Sequence, residues 1–175
     1  MRKGARAGAR EGFRELALAG ILGAASLMLP LLFHAVHLGA VFMPMYIPLL
    51  ALGFLVRPPT AVATCALAPL LSALLTGMPP LVPPVALLMS AELALMGLAI
   101  SGAARGFPRL SSWVILPAGI LAGRILSTGA IYAAAPLLDF PPGLAAGFTF
   151  LAGWPGLLIA VAVVPPLVAQ AGKGM

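Results

Sequence analysis

The chain is predicted to be an all-α integral membrane protein, a compact bundle of six transmembrane helices with both termini in the cytoplasm. Three observations predict this. First, 62% of the 175 residues are hydrophobic and only 8% are charged, with a mean hydropathy of +1.11. A water-soluble domain of this size could not cover its surface with so few polar groups, so most of the chain is solvated by lipid. Second, proline pairs divide the apolar sequence into lengths suited to crossing a bilayer. Third, the cations are distributed unevenly about those lengths, as the positive-inside rule requires.

Taken in order, residues 1–14 are a basic cytoplasmic segment that holds Arg2, Lys3, Arg6, Arg10 and Arg14, half of the ten Lys and Arg residues. Cations massed just before an apolar run mark a membrane flank rather than a nucleic-acid site, although the net charge is +6. A cleaved signal peptide fits less well, because residues 16–33 are long for its apolar region and most of the remaining chain is also membrane-grade. The membrane domain then covers residues 15–169, with spans at about 16–33, 42–56, 60–77, 84–103, 111–135 and 144–166, and a cytoplasmic tail at 170–175. Pro58-Pro59, Pro79-Pro80, Pro83-Pro84, Pro141-Pro142 and Pro165-Pro166 mark the ends. The second span carries Pro44 and Pro48 near its start, and is expected to be short, tilted or partly re-entrant.

This count places Arg57, Arg105, Arg109 and Lys173 on the same side as the five N-terminal cations. The opposite loops, around 34–41, 78–83 and 136–143, have none. Losing or merging a span would scatter that distribution. The single Cys65 excludes an internal disulfide. No internal repeat is visible, and the chain is small for a carrier built from two gated bundles.

Two ionisable side chains fall deep inside the spans, where each costs about 3 kcal/mol or more. They are Glu92 in span four and Arg124 in span five, each roughly 18–20 Å from the cytoplasmic ends by helical rise. At equal depth they can pair. One reading is an ion pair that locks the two helices. The other is a polar pocket open to the outside, in which Arg124 neutralises an anionic solute while Glu92 orients it or accepts a hydrogen bond. Ser90, Ser127, Thr128 and Tyr132 lie on the same helices and can add neutral hydrogen bonds. A proton relay through Glu92 lacks a chain of partners.

His34 and His37 sit where span one ends on the external side, within "FHAVHLGAVFMPMYIP". A metal site needs three or four ligands, and Asp139 is the only other external residue of a suitable type. The alternatives are structural histidines at the interface, or polar contacts in a cover over a solute, with Met43, Met45 and Tyr46 as its adaptable apolar part. No metal is expected. The sequence has no G-x-x-x-x-G-K-[ST], H-E-x-x-H or G-x-S-x-G motif, so nucleotide hydrolysis is not expected of this chain, and it is not read as an enzyme. Small residues recur four apart, as Ala19/Gly23 and Gly20/Ala24 in span one and Gly119/Gly123 in span five. They serve either packing inside the domain or docking of another membrane subunit.

The stretches "ELALAGILGAASLMLP", "GAVFMPMYIPLLALGFLVRPP" and "APLLSALLTGMPPLVPPVALLMSAELALMGL", with six helices in under 200 residues, resemble the substrate-binding S components of energy-coupling factor (ECF) vitamin transporters. The turn "PLLS-x-LLTG-x-PP" leading into an apolar helix with a central Glu is most similar to the pantothenate-type branch. The likeness runs from about residue 14 to 104. It implies a multi-pass protein of a prokaryotic cell membrane that captures a vitamin or related solute externally, without a cofactor. Helices four to six would line the pocket and loop one would cover it. It also implies partners, a transmembrane T component and two ATPases, with no role for nucleic acid. Docking in that family uses small residues of helix one, A-x-x-x-A. Here Ala19/Gly23 or Gly20/Ala24 would substitute. The competing functions are a metal-dependent membrane enzyme acting on lipid, using His34, His37 and Asp139, and a stand-alone proton-coupled carrier using Glu92.

Overall fold

The computed structural model describes residues 2–35, 43–82, 84–134 and 153–173. These form six α-helices: α1 (Arg2–Ala35), α2 (Tyr46–Leu55), α3 (Pro58–Thr76), α4 (Val85–Gly106), α5 (Ser112–Ala134) and α6 (Trp154–Lys173). Among the described residues there is no strand. Every helix except α2 contains a stretch long and apolar enough to cross a bilayer: Gly8–Phe33, Pro58–Thr76, Val85–Gly106, Ser112–Ala130 and Trp154–Ala171. The chain is therefore a multi-pass membrane protein by the length and composition of its helices.

The short helix lies at the centre. With 10 residues, α2 is about 15 Å long, roughly half the hydrocarbon thickness. Its sequence YIPLLALGFL is apolar on every side, and a helix of that kind belongs inside a bundle. Tyr46, Leu49, Leu50 and Leu52 are fully buried. α2 packs against α1, α3, α4 and α6, while the longer helices are neighbours in the order α1, α3, α4, α5, α6, forming an arc around it. α4 is the most enclosed of the long helices, with 44% of its span buried against 6% for α1.

Glycine sets the tightest contact. A Cβ on Gly119 would run into Ile100 and one on Gly123 into Met96, so α4 and α5 approach each other closely along this edge. The Gly119/Gly123 pair thus packs inside the domain. On α1, a Cβ at Gly23 would meet Thr64 of α3 at 3.4 Å, whereas one at Gly20 would meet nothing within 4 Å. Gly23 therefore faces the bundle and Gly20 faces outward.

Several boundaries differ from those the sequence suggests. α1 begins at Arg2 rather than near 16, since RKGARAGAREGFRE contains no proline and is rich in the helix formers Ala, Arg and Glu. Pro58 and Pro59 open α3 from its first turn, where the missing N–H costs nothing. Pro165 and Pro166, expected to end the last helix, lie inside α6, which continues to Lys173. Their fixed φ is compatible with a helix, and membrane helices tolerate the lost hydrogen bonds where packing restores them. Residues 144–152 of the expected sixth span lie outside the described residues.

The "PLLSALLTGMPP" stretch is a capped helix end. Gly77, at φ 73°, adopts the left-handed conformation and donates its N–H to Ala73 O at 3.0 Å, while Ser72 Oγ donates to Met78 O at 2.7 Å. The other end of α3 is held by a residue of α1. Glu15 Oε1 accepts the backbone N–H and the Nε–H of Arg57, both at 3.0 Å, and Glu15 Oε2 accepts the hydroxyl of Thr60 at 3.1 Å. Arg105 Nη1 donates to Ser101 Oγ at 2.8 Å, and Ser101 Oγ donates to Val56 O at 2.7 Å. These contacts gather Glu15, Arg57 and Arg105 at one end of the bundle.

Candidate functional site

The two deep charges meet. Arg124 Nε lies 3.2 Å from Glu92 Oε1, which joins the middle of α5 to α4. The second carboxylate oxygen, Glu92 Oε2, accepts the hydroxyl of Tyr46 at 3.0 Å. Arg124 Cζ also stands 5.7 Å from the ring centroid of Trp154, within cation–π range. Each of these residues comes from a different helix. Glu92 lies fourteen residues before the end of α4 at Gly106, about 21 Å away along the axis, and Arg124 lies twelve residues after Ser112, about 18 Å away. The site is thus deep from the end that carries Arg57 and Arg105.

Burial distinguishes the members of the cluster. Tyr46 is 0%, Arg124 1% and Glu92 3% exposed, whereas Trp154 is 37% exposed. A fully buried guanidinium requires a nearby countercharge, and Glu92 supplies it. Tyr46 and Trp154 are the first residues of α2 and α6, so both helices begin within side-chain reach of the cluster.

The local backbone explains why Trp154 is held in place. Gly153 has φ 79° and immediately precedes α6, and a Cβ there would run into the Met43 side chain. Met43 itself has φ 40°, just ahead of α2. The starts of α2 and α6 are thereby pressed together, and a side chain at 153 would separate them.

The other candidate residues fall in different places. Ser90 is buried, but it is two residues from Glu92 and so projects from roughly the opposite side of α4. Thr128 is one turn beyond Arg124 on the same face of α5. Ser90 Oγ and Thr128 Oγ1 are both buried without a hydrogen-bond partner among the described residues. Ser127 Oγ donates to the backbone oxygen of Arg124 at 3.1 Å and so serves the helix. Tyr132 is 48% exposed, two turns from Arg124. His34 closes α1 in the last turn, with its side chain outside the described residues, as are His37 and Asp139 altogether. Among the described residues no three His, Cys, Asp or Glu side chains converge. A largely apolar cavity of about 190 Å³ lies elsewhere, between α1 and α3, lined by Pro30, Leu31, Ser72, Thr76 and Met78.

Trp154 is the member of the cluster that sequence reasoning missed. Placed by the proline boundaries, it falls inside a long sixth span, where an aromatic residue reads as lipid-facing. The signal that could have found it is the run Gly153-Trp154-Pro155, a turn glycine and a first-turn proline bracketing an aromatic side chain, which marks a helix start. Comparison with family models, curated proteins and solved structures finds no match to this chain.

Proposed function

We propose that this chain is the solute-binding membrane subunit of an ECF-type importer. It captures a vitamin or related small anionic solute, with pantothenate favoured, at the external face of a prokaryotic cell membrane. It then releases the solute inside, together with a T component and two ATPase subunits. The carrying observation is the buried Arg124, held by Glu92 from one side and by Trp154 from another, at the starts of two helices. A carboxylate on the solute would be a counterion for the Arg124 guanidinium. Its hydroxyl or amide groups would find Glu92 and the buried Thr128 Oγ1.

Other features support the reading. Nine cations fall on one side of the expected six-span topology, and the positive-inside rule reads that side as cytoplasmic, with the Arg124 cluster nearer the outside. The outward-facing Gly20 and Ala24 on α1 offer a flat strip for the T component, with Ala19 and Gly23 turned toward the bundle. His34 and His37 are assigned to the cover over the solute.

The experiment is mass spectrometry of small molecules released from the purified chain and from Arg124→Ala. The expected result is one anionic vitamin-like solute, near one per chain, released from the wild type and at least about tenfold less from the variant. Equal release from a folded Arg124→Ala would make the Glu92–Arg124 pair a helix lock and nothing more.

A further inference from the structure

We propose that the turn between α4 and α5 is a contact site for an anionic phospholipid, in which Arg105 and Arg109 take the headgroup phosphate while Phe107, Leu110 and Trp113 rest against the upper acyl chains. This site is separate from the Arg124 cluster and independent of solute capture. Its position in the bilayer follows from length. α4 has 22 residues and is about 33 Å long, close to the roughly 30 Å of the hydrocarbon layer, so its end at Gly106 reaches the headgroups. The short connection from Gly106 to Ser112, where α5 begins, holds the turn at that level.

The local backbone presents both kinds of side chain. Leu110 N–H donates to Phe107 O at 2.9 Å, which closes a β-turn with Pro108 and Arg109 at its two central positions. Arg109 therefore stands at the tip, flanked by Phe107 and Leu110. Ser111 Oγ accepts the N–H of Trp113 at 3.3 Å, which caps the start of α5 and places Trp113 in its first turn. Phe107 is 62%, Leu110 48% and Trp113 54% exposed. Large apolar side chains shown so close together are costly in water, whereas the membrane interface accommodates aromatic groups beside cations.

The charge selects the lipid. Arg57, at the same end of the bundle, is matched by Glu15 at 3.0 Å, whereas Arg105 and Arg109 have no carboxylate partner among the described residues. Arg105 is also oriented, since its Nη1 donates to Ser101 O at 3.2 Å and to the Oγ of that same buried residue at 2.8 Å. Nε and Nη2 are left for a phosphodiester, whose oxygens suit the planar fork. A zwitterionic headgroup brings its own cation with each phosphate, so two unmatched guanidinium groups favour a lipid of net negative charge.

The test is native mass spectrometry of the full chain in detergent, titrated with phosphatidylglycerol or with phosphatidylcholine of the same acyl chains. Each cation beside an anionic surface corresponds to about fivefold in affinity, so the wild type is expected to bind the first phosphatidylglycerol at least about tenfold more tightly than phosphatidylcholine. Arg109→Gln, which removes no bond among the described residues, should cut that preference about fivefold. Arg105→Gln/Arg109→Gln should abolish it. Arg14→Gln takes the same charge from an exposed residue of α1 and should leave the preference unchanged. An equal fall in Arg14→Gln and Arg109→Gln would replace the site with general attraction and overturn the proposal, as would a folded wild type without preference. Inorganic phosphate at millimolar concentration should fail to displace the lipid, because it has no acyl chain to hold. Displacement would make the turn a site for free anions and contradict the lipid contact.

Discussion

At the scale of the residue, Arg124 and Glu92 each make the other tolerable. Removing one partner of a buried pair leaves an uncompensated charge and costs about 3–5 kcal/mol, which is why both sit where the other can reach them. Tyr46 extends the pair into α2 through one hydrogen bond to the carboxylate. Tyr46→Phe should therefore destabilise the chain by about 1–3 kcal/mol, the range for leaving a buried acceptor short of its donor. Tyr132→Phe, at a half-exposed ring, should stay within about 0.5 kcal/mol. Thermal unfolding in detergent compares the two, and equal shifts would remove Tyr46 from the cluster. The pairing of Glu92 with Arg124 is legible in the sequence, because charge in lipid is rare and helical rise gives depth. Tyr46 and Trp154 are harder to place, since an aromatic residue in an apolar run looks the same whether it faces lipid or a charge.

At the scale of the element, the proline pairs show what a local rule can and cannot settle. Pro58-Pro59 marks a helix start, as its missing N–H groups allow, whereas Pro165-Pro166 sits within α6. The same dipeptide gives opposite results because tertiary packing decides whether the lost hydrogen bonds matter. The small residues divide similarly. Sequence spacing places Gly20 and Gly123 in equivalent motifs, but only Gly123 is pressed against a neighbouring helix. Gly123→Ala should therefore cost about 1–3 kcal/mol through overpacking against Met96. Gly20→Ala, with open space around it, should be neutral or stabilising by up to about 1 kcal/mol from helix propensity. Unfolding midpoints of the two variants check this, and a reversed order would contradict the packing of α4 on α5. Glu15 adds a link that spacing alone does not reveal, since it caps α3 from forty-two residues away.

At the scale of the whole molecule, composition alone identifies a membrane protein, and the five long apolar helices agree with it. The central position of α2 comes from its being apolar all round and too short to span alone. Composition does not reveal that two helices begin within side-chain reach of the deep charges. The most direct measurement is isothermal titration of pantothenate into the purified chain alone, without T component, ATPases or added metal. Solute capture at Arg124 predicts saturable binding at one site per chain, with a dissociation constant of order nanomolar, about −12 kcal/mol. A folded, solute-free chain that gives no heat with pantothenate or any other anionic vitamin would contradict it.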